Sequence, residues 1–462
     1  MNSSFSYDIA DKLGDIHIFR VFEDWILLDV ESGSIHVIDE TAKAILETGT
    51  LDKHIASEKL QQRFSAEEIS EADDELKMLV DEGKLFAPHS VINRCGDPGE
   101  VKALCLNIAH TCNMRCGYCF ACDGAYGGEA GLMSADTAKK AIDFLIQASQ
   151  KRKHIEVDFF GGEPLMNFDT VKETVAYGNM RAAEAGKNIT FTLTTNAVLL
   201  DDAVGEFLNK NNMSAVLSLD GRKLIHDNMR KLADGSNSYD NVAPKIKRFV
   251  ESREGRSYYV RGTYTHSNLD FASDVEHIAS LGCTSLSVEP VVGKQDDAWA
   301  IRPEDIPKIK LEYKRLAEIY LAHKNQGKPF SFFHFNIDLE KGPCTAKRAS
   351  GCGAGVQYLA VAADGKLYPC HQFVGEDAFV LGDLEHGLVN HEIPATFAAC
   401  NISTKDDCKK CWARFFCGGG CHANAWHDNN DIQKPYEIGC EIEQMRVECA
   451  IAIKVAEADL KA

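Results

Sequence analysis

The sequence predicts an α/β fold, with a mostly parallel sheet and helices packed against it. From about residue 101 to 326, β-like runs alternate with helical stretches, which implies parallel strands joined by right-handed crossovers. Polar motifs follow the ends of these runs, where the chemistry of such folds is found. Six repeats of this kind fit either an open sheet or a partial barrel.

The six β-like runs define the central part of the chain. They read ALCLNIA, IEVDFF, ITFTLTT, SAVLSLD, YYVRGTYT and TSLSVEP. Each run leads into a polar segment or carries one: a cysteine loop, Gly161-Gly162-Glu163-Pro164, Thr194-Thr195-Asn196, Ser218-Leu219-Asp220-Gly221, Arg261 and Glu289-Pro290. Because the ends of parallel strands meet at one edge, these segments predict a single site.

Two smaller parts flank this centre. The first begins with the β-like runs HIFRVFEDWILLDV and GSIHVID, which three helical patterns follow, the last beginning after Ser65. This order predicts a winged-helix-like module. The end of the chain has short strands, many glycines and most of the cysteines. We therefore expect three domains, over residues 1–92, 100–328 and 340–462.

Composition and charge exclude several classes of function. The 462 residues carry a net charge of −19, which argues against a nucleic-acid partner because phosphate binding needs basic patches. No apolar run approaches the roughly 18 residues of a membrane span. The N-terminal segment lacks a basic start and an apolar core of a signal peptide. We expect a cytoplasmic protein.

The 17 cysteines point to metal, since a reducing compartment disfavours disulfides. In HTCNMRCGYCFACDG, residues 110–124, Cys112, Cys116 and Cys119 are spaced C-x3-C-x2-C. Three thiolates can hold three irons of a [4Fe–4S] cluster and leave the fourth iron open. Cys122 could instead complete a four-cysteine zinc or ferredoxin-type site.

The cysteine spacing, together with the Gly-Gly-Glu-Pro motif after the next run, resembles the radical S-adenosylmethionine (SAM) enzymes. This resemblance implies a partial (β/α)6 barrel, with SAM bound to the open iron of the cluster on Cys112, Cys116 and Cys119. By the same resemblance, the residues that contact SAM would be Tyr118, Gly161, Gly162, Glu163, Ser218, Arg230 and Val291. Arg261 is the alternative to Arg230, and Val292 is the alternative to Val291.

A second series of cysteines resembles the SPASM extension of peptide-modifying radical SAM enzymes and covers roughly the last 120 residues. The resemblance implies two auxiliary [4Fe–4S] clusters, so three clusters in all. One would be held by Cys408, Cys411, Cys417 and Cys440, and the other by Cys352, Cys370 and Cys421. Cys344 is the candidate for the eighth ligand; without it, one iron is open to a substrate thiolate.

The N-terminal module resembles the PqqD-like elements that bind a leader peptide as an added strand. In the segment YPCHQF, His371 stands where anaerobic sulfatase maturases have an aspartate base, so it is the candidate catalytic residue. The whole pattern is most similar to the maturases of six-cysteines-in-forty-five-residues peptides. That similarity implies a thioether crosslink, of the sactipeptide or ranthipeptide type, in a cysteine-rich precursor peptide.

Two alternatives stay open at this point. One is oxidation of a cysteine or serine to formylglycine, as in sulfatase maturases; the other is a non-catalytic iron–sulfur electron carrier. A radical SAM enzyme would also need a low-potential reductant, flavodoxin or ferredoxin, and an anaerobic or microaerobic cell. The remaining cysteines are expected to be small buried hydrophobic residues: Cys95, Cys105, Cys122, Cys283, Cys400 and Cys449.

Overall fold

The computed structural model of the protein describes residues 8–89, 100–294, 296–339 and 349–459. Its N-terminal part is a three-stranded antiparallel sheet, in the order β1-β2-β3, followed by three helices. These elements are β1 (Ile16–Phe19), β2 (Trp25–Asp29), β3 (Ile35–Ile38), α1 (Glu40–Glu47), α2 (Lys53–Leu60) and α3 (Ala66–Asp81).

The first β-like run of this part was expected to be one strand, and the structure divides it into β1 and β2. The segment between them contains Arg20, Glu23 and Asp24, whose charges favour a solvated turn over a continuous half-buried strand. The three helices are present where the sequence predicts them. Ser65 caps α3 in a capping box, since its hydroxyl accepts from the Glu68 amide and the Glu68 carboxylate accepts from the Ser65 amide.

The central part alternates strands and helices. Its strands are β4 (Ala103–His110), β5 (Met114–Cys116), β6 (Gly131–Leu132), β7 (His154–Gly161), β8 (Asn188–Thr195), β9 (Ser214–Ser218), β10 (Arg230–Leu232), β11 (Tyr258–Tyr264), β12 (Ser285–Pro290) and β13 (Ser331–Phe332). Its helices are α4 (Ala135–Ala148), α5 (Phe168–Glu184), α6 (Asp202–Lys210), α7 (Lys223–Met229), α8 (Tyr239–Glu251), α9 (Phe271–Ser280) and α10 (Ile306–Asn325).

All six predicted runs are neighbouring parallel strands of one sheet, in the order β12-β11-β9-β8-β7-β4. The sheet has an edge at each end among the described residues, so the barrel is partial and open, which confirms the predicted fold class. Apolar residues fill β4 almost completely, as expected for a parallel strand covered on both faces.

The C-terminal part joins this sheet directly. Its first strand pairs in parallel with β4, and three short antiparallel strands continue the sheet. The strands are β14 (Tyr358–Val361), β15 (Lys366–Tyr368), β16 (Gly382–Asp383) and β17 (Gly387–Leu388). The helices are α11 (Glu392–Ala399), α12 (Asp406–Lys409), α13 (Arg414–Cys417), α14 (His422–Asn429) and α15 (Glu437–Asp459).

The prediction for the remaining cysteines is confirmed for Cys105, Cys283, Cys400 and Cys449, which are buried. It is wrong for Cys122, whose side chain is exposed in a tight turn at φ 45°. Cys95 lies outside the described residues. In the part of the chain that the structure covers, no helix has both the length and the apolar character to cross a bilayer.

Candidate active site

The predicted cysteine loop leaves the end of β4 at the carboxyl edge of the sheet. It contains β5, which pairs with β10 so that Cys116 lies opposite Arg230. Burial raises the pKa of the Cys112 thiol to about 12, and the neighbouring charges of Cys116 and Cys119 add to this rise. The structure therefore brings together the three cysteines of the C-x3-C-x2-C spacing, and it brings Arg230 to them.

Two glycines allow this loop to lie against the end of β7. A Cβ atom on Gly162 would lie 2.0 Å from the carbonyl oxygen of Thr111, and one on Gly161 would lie 2.4 Å from that of Ala109. Gly161 also has φ 132°, which disfavours other residues. The main chain of the Gly-Gly segment is thus in contact with the residue that precedes Cys112.

The carboxylate of Glu163 is buried and fully used by the protein. It accepts hydrogen bonds from the Leu165 amide (3.0 Å), the Thr195 hydroxyl (2.7 Å) and the Asn196 amide (2.8 Å). Burial raises its pKa, and these donors oppose the rise. The side chain therefore fixes the ends of β7 and β8 to each other.

Arg230 is held in a buried polar cluster. Its Nη1 donates to the Tyr118 hydroxyl at 3.0 Å, and that hydroxyl donates to the Asp220 carboxylate at 2.6 Å. Burial raises the pKa of Tyr118 well above its usual range, so the phenol keeps its proton. Among the described residues the Nε of Arg230 has no hydrogen-bond partner.

Asp220 was not selected from the sequence, although it stands in a strand-end motif. It accepts from the Thr263 amide at 3.1 Å as well as from Tyr118, so it joins the ends of two strands. The signal that could have found it was its position two residues after Ser218, at the same strand end.

A cavity of about 460 Å³ extends from this cluster to the C-terminal part. Predicted residues line it at both ends: Tyr118, Ser218, Arg230, Val291, His371, Cys417, Cys421 and Cys440. The alternatives Arg261 and Val292 also line the cavity.

The structure brings described C-terminal cysteines near one another in two places. Burial raises the pKa of Cys370 to about 12, and the nearby charges of Cys421 and Cys352 add to the rise. Burial likewise raises the pKa of Cys440 to about 12, with contributions from Cys408 and Cys411. Cys417 interacts with Cys440 in the same way. Cys344 lies outside the described residues.

The donors in these sets are all thiols, the ligand type that iron–sulfur clusters use. Among the described residues, no three His, Cys, Asp or Glu side chains surround a point closely enough to hold a single metal ion. In a cubane each thiolate binds a different iron, so the ligands are spread around a larger body. Thiolate donors of the kind that the described cysteines supply are those that iron–sulfur clusters use.

The His371 ring is buried beside the Phe120 and Phe160 rings, with centroids 5.7 and 4.8 Å away. Burial lowers its pKa to about 4, and the charge of Arg261 adds to this, so the ring is neutral at neutral pH. Its Nδ1 has no hydrogen-bond partner within the described part of the chain. A neutral, buried imidazole of this kind is a weak base.

A charged wall forms another side of the cavity. Glu289, at the end of β12, accepts from the His334 ring at 2.7 Å and from Arg446 Nη2 at 3.1 Å. Arg446 belongs to the last helix, α15, and its Nε donates to the Tyr313 hydroxyl at 2.9 Å. Sequence reasoning missed Arg446, because in the sequence it is one charge on a long amphipathic helix.

A partial barrel that carries three close cysteines at its strand ends, beside a buried arginine and a cavity, defines a radical SAM type of site. Residues 106–263 match the sequence model of the Radical SAM superfamily. The chain therefore contains a radical SAM domain and is an enzyme, which sets aside the non-catalytic electron carrier.

Two curated relatives with named activities match most of this chain. A cysteine-type anaerobic sulfatase-maturating enzyme of Clostridium perfringens strain 13 is 25% identical over 335 residues, which cover 67% of this chain and 85% of the relative. The radical SAM cyclopropyl synthase TigE of Paramaledivibacter caminithermalis is 24% identical over 357 residues, 71% of this chain and 70% of the relative.

Solved structures share the fold. The enzyme anSMEcpe with bound AdoMet superposes with a TM-score of 0.65 at 21% identity and covers 78% of this chain and 99% of its own. Streptococcus suis SuiB bound to S-adenosylmethionine superposes with a TM-score of 0.54 at 18% identity and covers 92% and 98%. SuiB has also been solved with its precursor peptide SuiA.

Proposed function

We propose that this radical SAM enzyme forms a thioether bond between a cysteine sulfur and a carbon atom of a ribosomally made, cysteine-rich precursor peptide. The observation that carries the proposal is the cavity, which is lined by Ser218 and Arg230 at one end and by Cys417, Cys421 and Cys440 at the other. A peptide in that cavity would contact residues of the radical SAM part and of the C-terminal cysteine groups at once.

Cys112, Cys116 and Cys119 would hold the cluster that binds SAM. The unpartnered Nε of Arg230, which lies opposite Cys116, suits an anionic group such as the SAM carboxylate, and this favours Arg230 over Arg261. Arg261 is exposed, and its main-chain carbonyl oxygen accepts a hydrogen bond from the Leu219 amide at 3.0 Å. Ser218 and Val291 would contact the rest of the nucleoside from the cavity wall.

When bound, the cluster and SAM supply the 5′-deoxyadenosyl radical that removes a hydrogen atom from the peptide. The protein's own contribution is to fix the reacting groups and to keep water out. Tyr118 and Asp220 hold the Arg230 guanidinium, and Glu163 holds the loop ends, so little has to move before reaction. The rings of Phe120 and Phe160 form an apolar part of the cavity wall next to His371.

The two C-terminal cysteine groups would hold auxiliary [4Fe–4S] clusters. Four described thiols form one group and three form the other, Cys352, Cys370 and Cys421. The three-thiol group would have one iron available for the peptide thiolate if Cys344 does not bind it. A thiolate on iron is deprotonated by ligation, so the weak base His371 is not needed to activate it.

The leader of the precursor would bind to the N-terminal sheet. Within the described residues β3 pairs with β2 and has its other edge unpaired, and Val37 on it is 53% exposed. An unpaired edge binds an extended peptide through main-chain hydrogen bonds. We expect Val37→Asp to weaken leader binding, measured by fluorescence anisotropy of a labelled leader, whereas Val389→Asp, at an exposed site of the C-terminal part, leaves it unchanged.

Anaerobic turnover with a cysteine-rich precursor peptide tests the reaction. Reconstituted protein, SAM and dithionite, or a flavodoxin or ferredoxin system, should give 5′-deoxyadenosine and a peptide lighter by two hydrogens. One cysteine of that product should resist thiol alkylation. The Cys116→Ala variant should give neither product, and undiminished 5′-deoxyadenosine from it would contradict the ligand assignment.

Formylglycine formation is the second candidate, because sulfatase-maturating enzymes are among the relatives. The presence of His371, in place of the aspartate that the resemblance leads us to expect, favours the thioether. The same mass spectra separate the two reactions. Loss of sulfur from a peptide cysteine, with an aldehyde that reacts with hydrazides, would support formylglycine and contradict the thioether.

A further inference from the structure

We propose that the N-terminal sheet is part of the site formed by Cys408, Cys411, Cys417 and Cys440, and that Glu31 and Arg414 are its positioning residues. Binding of a peptide to the sheet would then alter the cysteine loop, and binding of a cluster to the loop would alter the sheet. The proposal rests on the proposed function, in which these four cysteines hold an auxiliary cluster.

A buried ion pair makes the first contact. Arg414 lies in the sequence between Cys411 and Cys417, and its Nη2 donates to the Glu31 carboxylate at 2.5 Å. Its Nη1 donates to the main-chain carbonyl oxygen of Cys411 at 2.9 Å. The side chains of Arg414 and Glu31 are 8% and 4% exposed, so water screens the pair little. One guanidinium thus ties the N-terminal sheet to the backbone of a cysteine in the proposed cluster site.

A stacked pair of rings makes the second contact. Trp412 follows Cys411 directly, and its ring lies parallel to that of His17 in β1, with centroids 3.8 Å apart and an angle of 5°. His17 is fixed in turn, because its Nε2 lies 2.9 Å from the Glu448 carboxylate of α15. This contact is independent of the ion pair, since it uses β1, whereas Glu31 lies in the turn after β2.

The third contact is apolar. Val30, next to Glu31, is buried in a small cluster with Cys408, Phe415 and Ile402. Cys408 is another of the four grouped cysteines. Of the four proposed ligands, Cys408 therefore packs directly against the N-terminal part. Cys411 is linked to it through Arg414 and Trp412, by the ion pair and the ring stack.

Val30 and Glu31 connect these contacts to the strand at which a peptide would bind. Both residues directly follow β2, at the turn into β3, the strand with the unpaired edge. A peptide that pairs with β3 orders the same hairpin that holds Arg414. Because coupling between two sites is reciprocal, leader binding should stabilise the Cys408–Cys411 loop, and the loaded loop should stabilise the hairpin.

Hydrogen–deuterium exchange on the full-length, reconstituted protein tests the coupling from the cysteine side. Relative to the parent protein, Cys411→Ala should raise exchange in β2 and β3 by about fivefold or more, the lower range of coupling between linked sites. Exchange in β8 and α5, far along the chain from these contacts, should not change and serves as the internal control. Iron content is measured on the same samples.

The two possible failures are distinguishable. Loss of iron from Cys411→Ala with unchanged exchange in β2 and β3 would overturn the coupling and leave the proposed function intact. Unchanged iron content would overturn the cluster assignment itself, on which both depend.

The Glu31→Gln variant tests the coupling from the side of the N-terminal sheet. It removes the negative charge of Glu31 and keeps the shape of the side chain. We expect the electron paramagnetic resonance spectrum of the reduced auxiliary clusters and their reduction midpoint to shift. Arg414→Lys should shift them too, since an ammonium cannot bridge two acceptors as a planar guanidinium does. The matched control is Glu173→Gln, which removes a carboxylate from the half-exposed Lys139–Glu173 pair. Spectra and midpoint identical to that control in both variants would overturn the proposal.

Discussion

At the scale of single residues, the Arg230 cluster shows how the site positions a charge without neutralising it. The Tyr118 hydroxyl stands between Arg230 and Asp220, and the carboxylate is 3.9 Å from the guanidinium at its nearest. The arginine is therefore fixed in place while its Nε is left for a ligand. A direct, short Arg–Asp pair would have satisfied the guanidinium more fully and left less for an anion.

We expect Arg230→Lys to weaken SAM binding by about 10- to 100-fold, because the ammonium keeps the charge but loses the planar fork of donors. Isothermal titration of SAM into anaerobically reconstituted protein measures this, and iron content should stay at the parent level. Arg248→Lys, at an exposed position, is the control. Equal SAM affinity in Arg230→Lys and the control would contradict the assignment of Arg230.

Asp158 predicts a pH effect on stability. Burial raises its pKa from 3.8 to about 6, so the fold disfavours its charged form. The resulting destabilisation is absent below pH about 4, grows between pH 4 and 6, and is complete above that range.

Asp158→Asn should therefore raise the free energy of unfolding by about 1–3 kcal/mol at pH 8 and by less than about 1 kcal/mol at pH 4. Chemical denaturation at both pH values measures the difference, with the exposed Asp202→Asn as the control. A variant no more stable than the parent at pH 8 would show that the Thr192 hydrogen bond offsets the cost of burial.

Some residues of the site could be predicted from the sequence and others could not, for a physical reason. Cysteine spacing identified the three cysteines near Arg230, because local chain geometry keeps residues four and three positions apart close together. Asp220 and Arg446 were not predicted, since their roles depend on neighbours up to 157 positions away in sequence. The side chain of Glu163 also turned inward, and no motif indicates which way a strand-end carboxylate faces.

At the scale of secondary structure, the end of β7 controls where the cysteine loop can lie. Gly162 allows the main chains of two elements to meet, and the register between β4 and β7 shifts at this point, between Asn107 and Ala109. The irregularity and the missing side chain together let the loop pass close over the strand end. Such features are common where a strand is redirected next to a site.

Gly162→Ala should displace the Cys112 loop, because its Cβ would lie 2.0 Å from the Thr111 carbonyl oxygen. We expect reduced iron retention after anaerobic reconstitution and a loss of about 1–3 kcal/mol in the free energy of unfolding. Gly131→Ala, where an added Cβ meets nothing within 4 Å, is the matched control. Full iron retention in Gly162→Ala would show that the loop can shift without loss of its ligands.

The strands of the centre were predictable because β4 is a nearly continuous apolar run and β7 and β8 alternate buried and less buried residues, at regular intervals along the chain. The short strands and helices of the C-terminal part were not, since elements of two to four residues carry no periodic pattern. The division of the first run into β1 and β2 was also not predicted. The charged turn is short, and the residues before and after it are mostly apolar, so the whole run resembles one strand.

At the scale of the whole molecule, α15 connects the C-terminal part to the far side of the barrel. Arg446 on this helix binds Glu289 at the end of β12 and Glu443 one turn away. All three residues line the same cavity. The wall of the cavity is thus assembled from elements that the sequence separates widely, and no local pattern could predict it.

Arg446→Ala should lower the free energy of unfolding by about 3–5 kcal/mol, because it leaves the Glu289 carboxylate, which is 20% exposed, without its cation. Denaturant titration under anaerobic conditions measures the loss. Arg248→Ala, which breaks an exposed pair with Asp202, should cost no more than about 1 kcal/mol. Equal stability of the two variants would mean that His334 compensates Glu289 by itself.

The pairing of β14 with β4 has a practical consequence for anyone who shortens this chain. β4 is apolar along nearly its whole length, and β14 covers the hydrogen-bonding groups of residues Ala103 to Leu106. A fragment that ends before β14 would expose those groups as an unpaired sheet edge, which can pair with other chains. Such fragments should precipitate, or self-associate on size-exclusion chromatography. The central part of the chain therefore has to be studied together with the cysteine-rich C-terminal part.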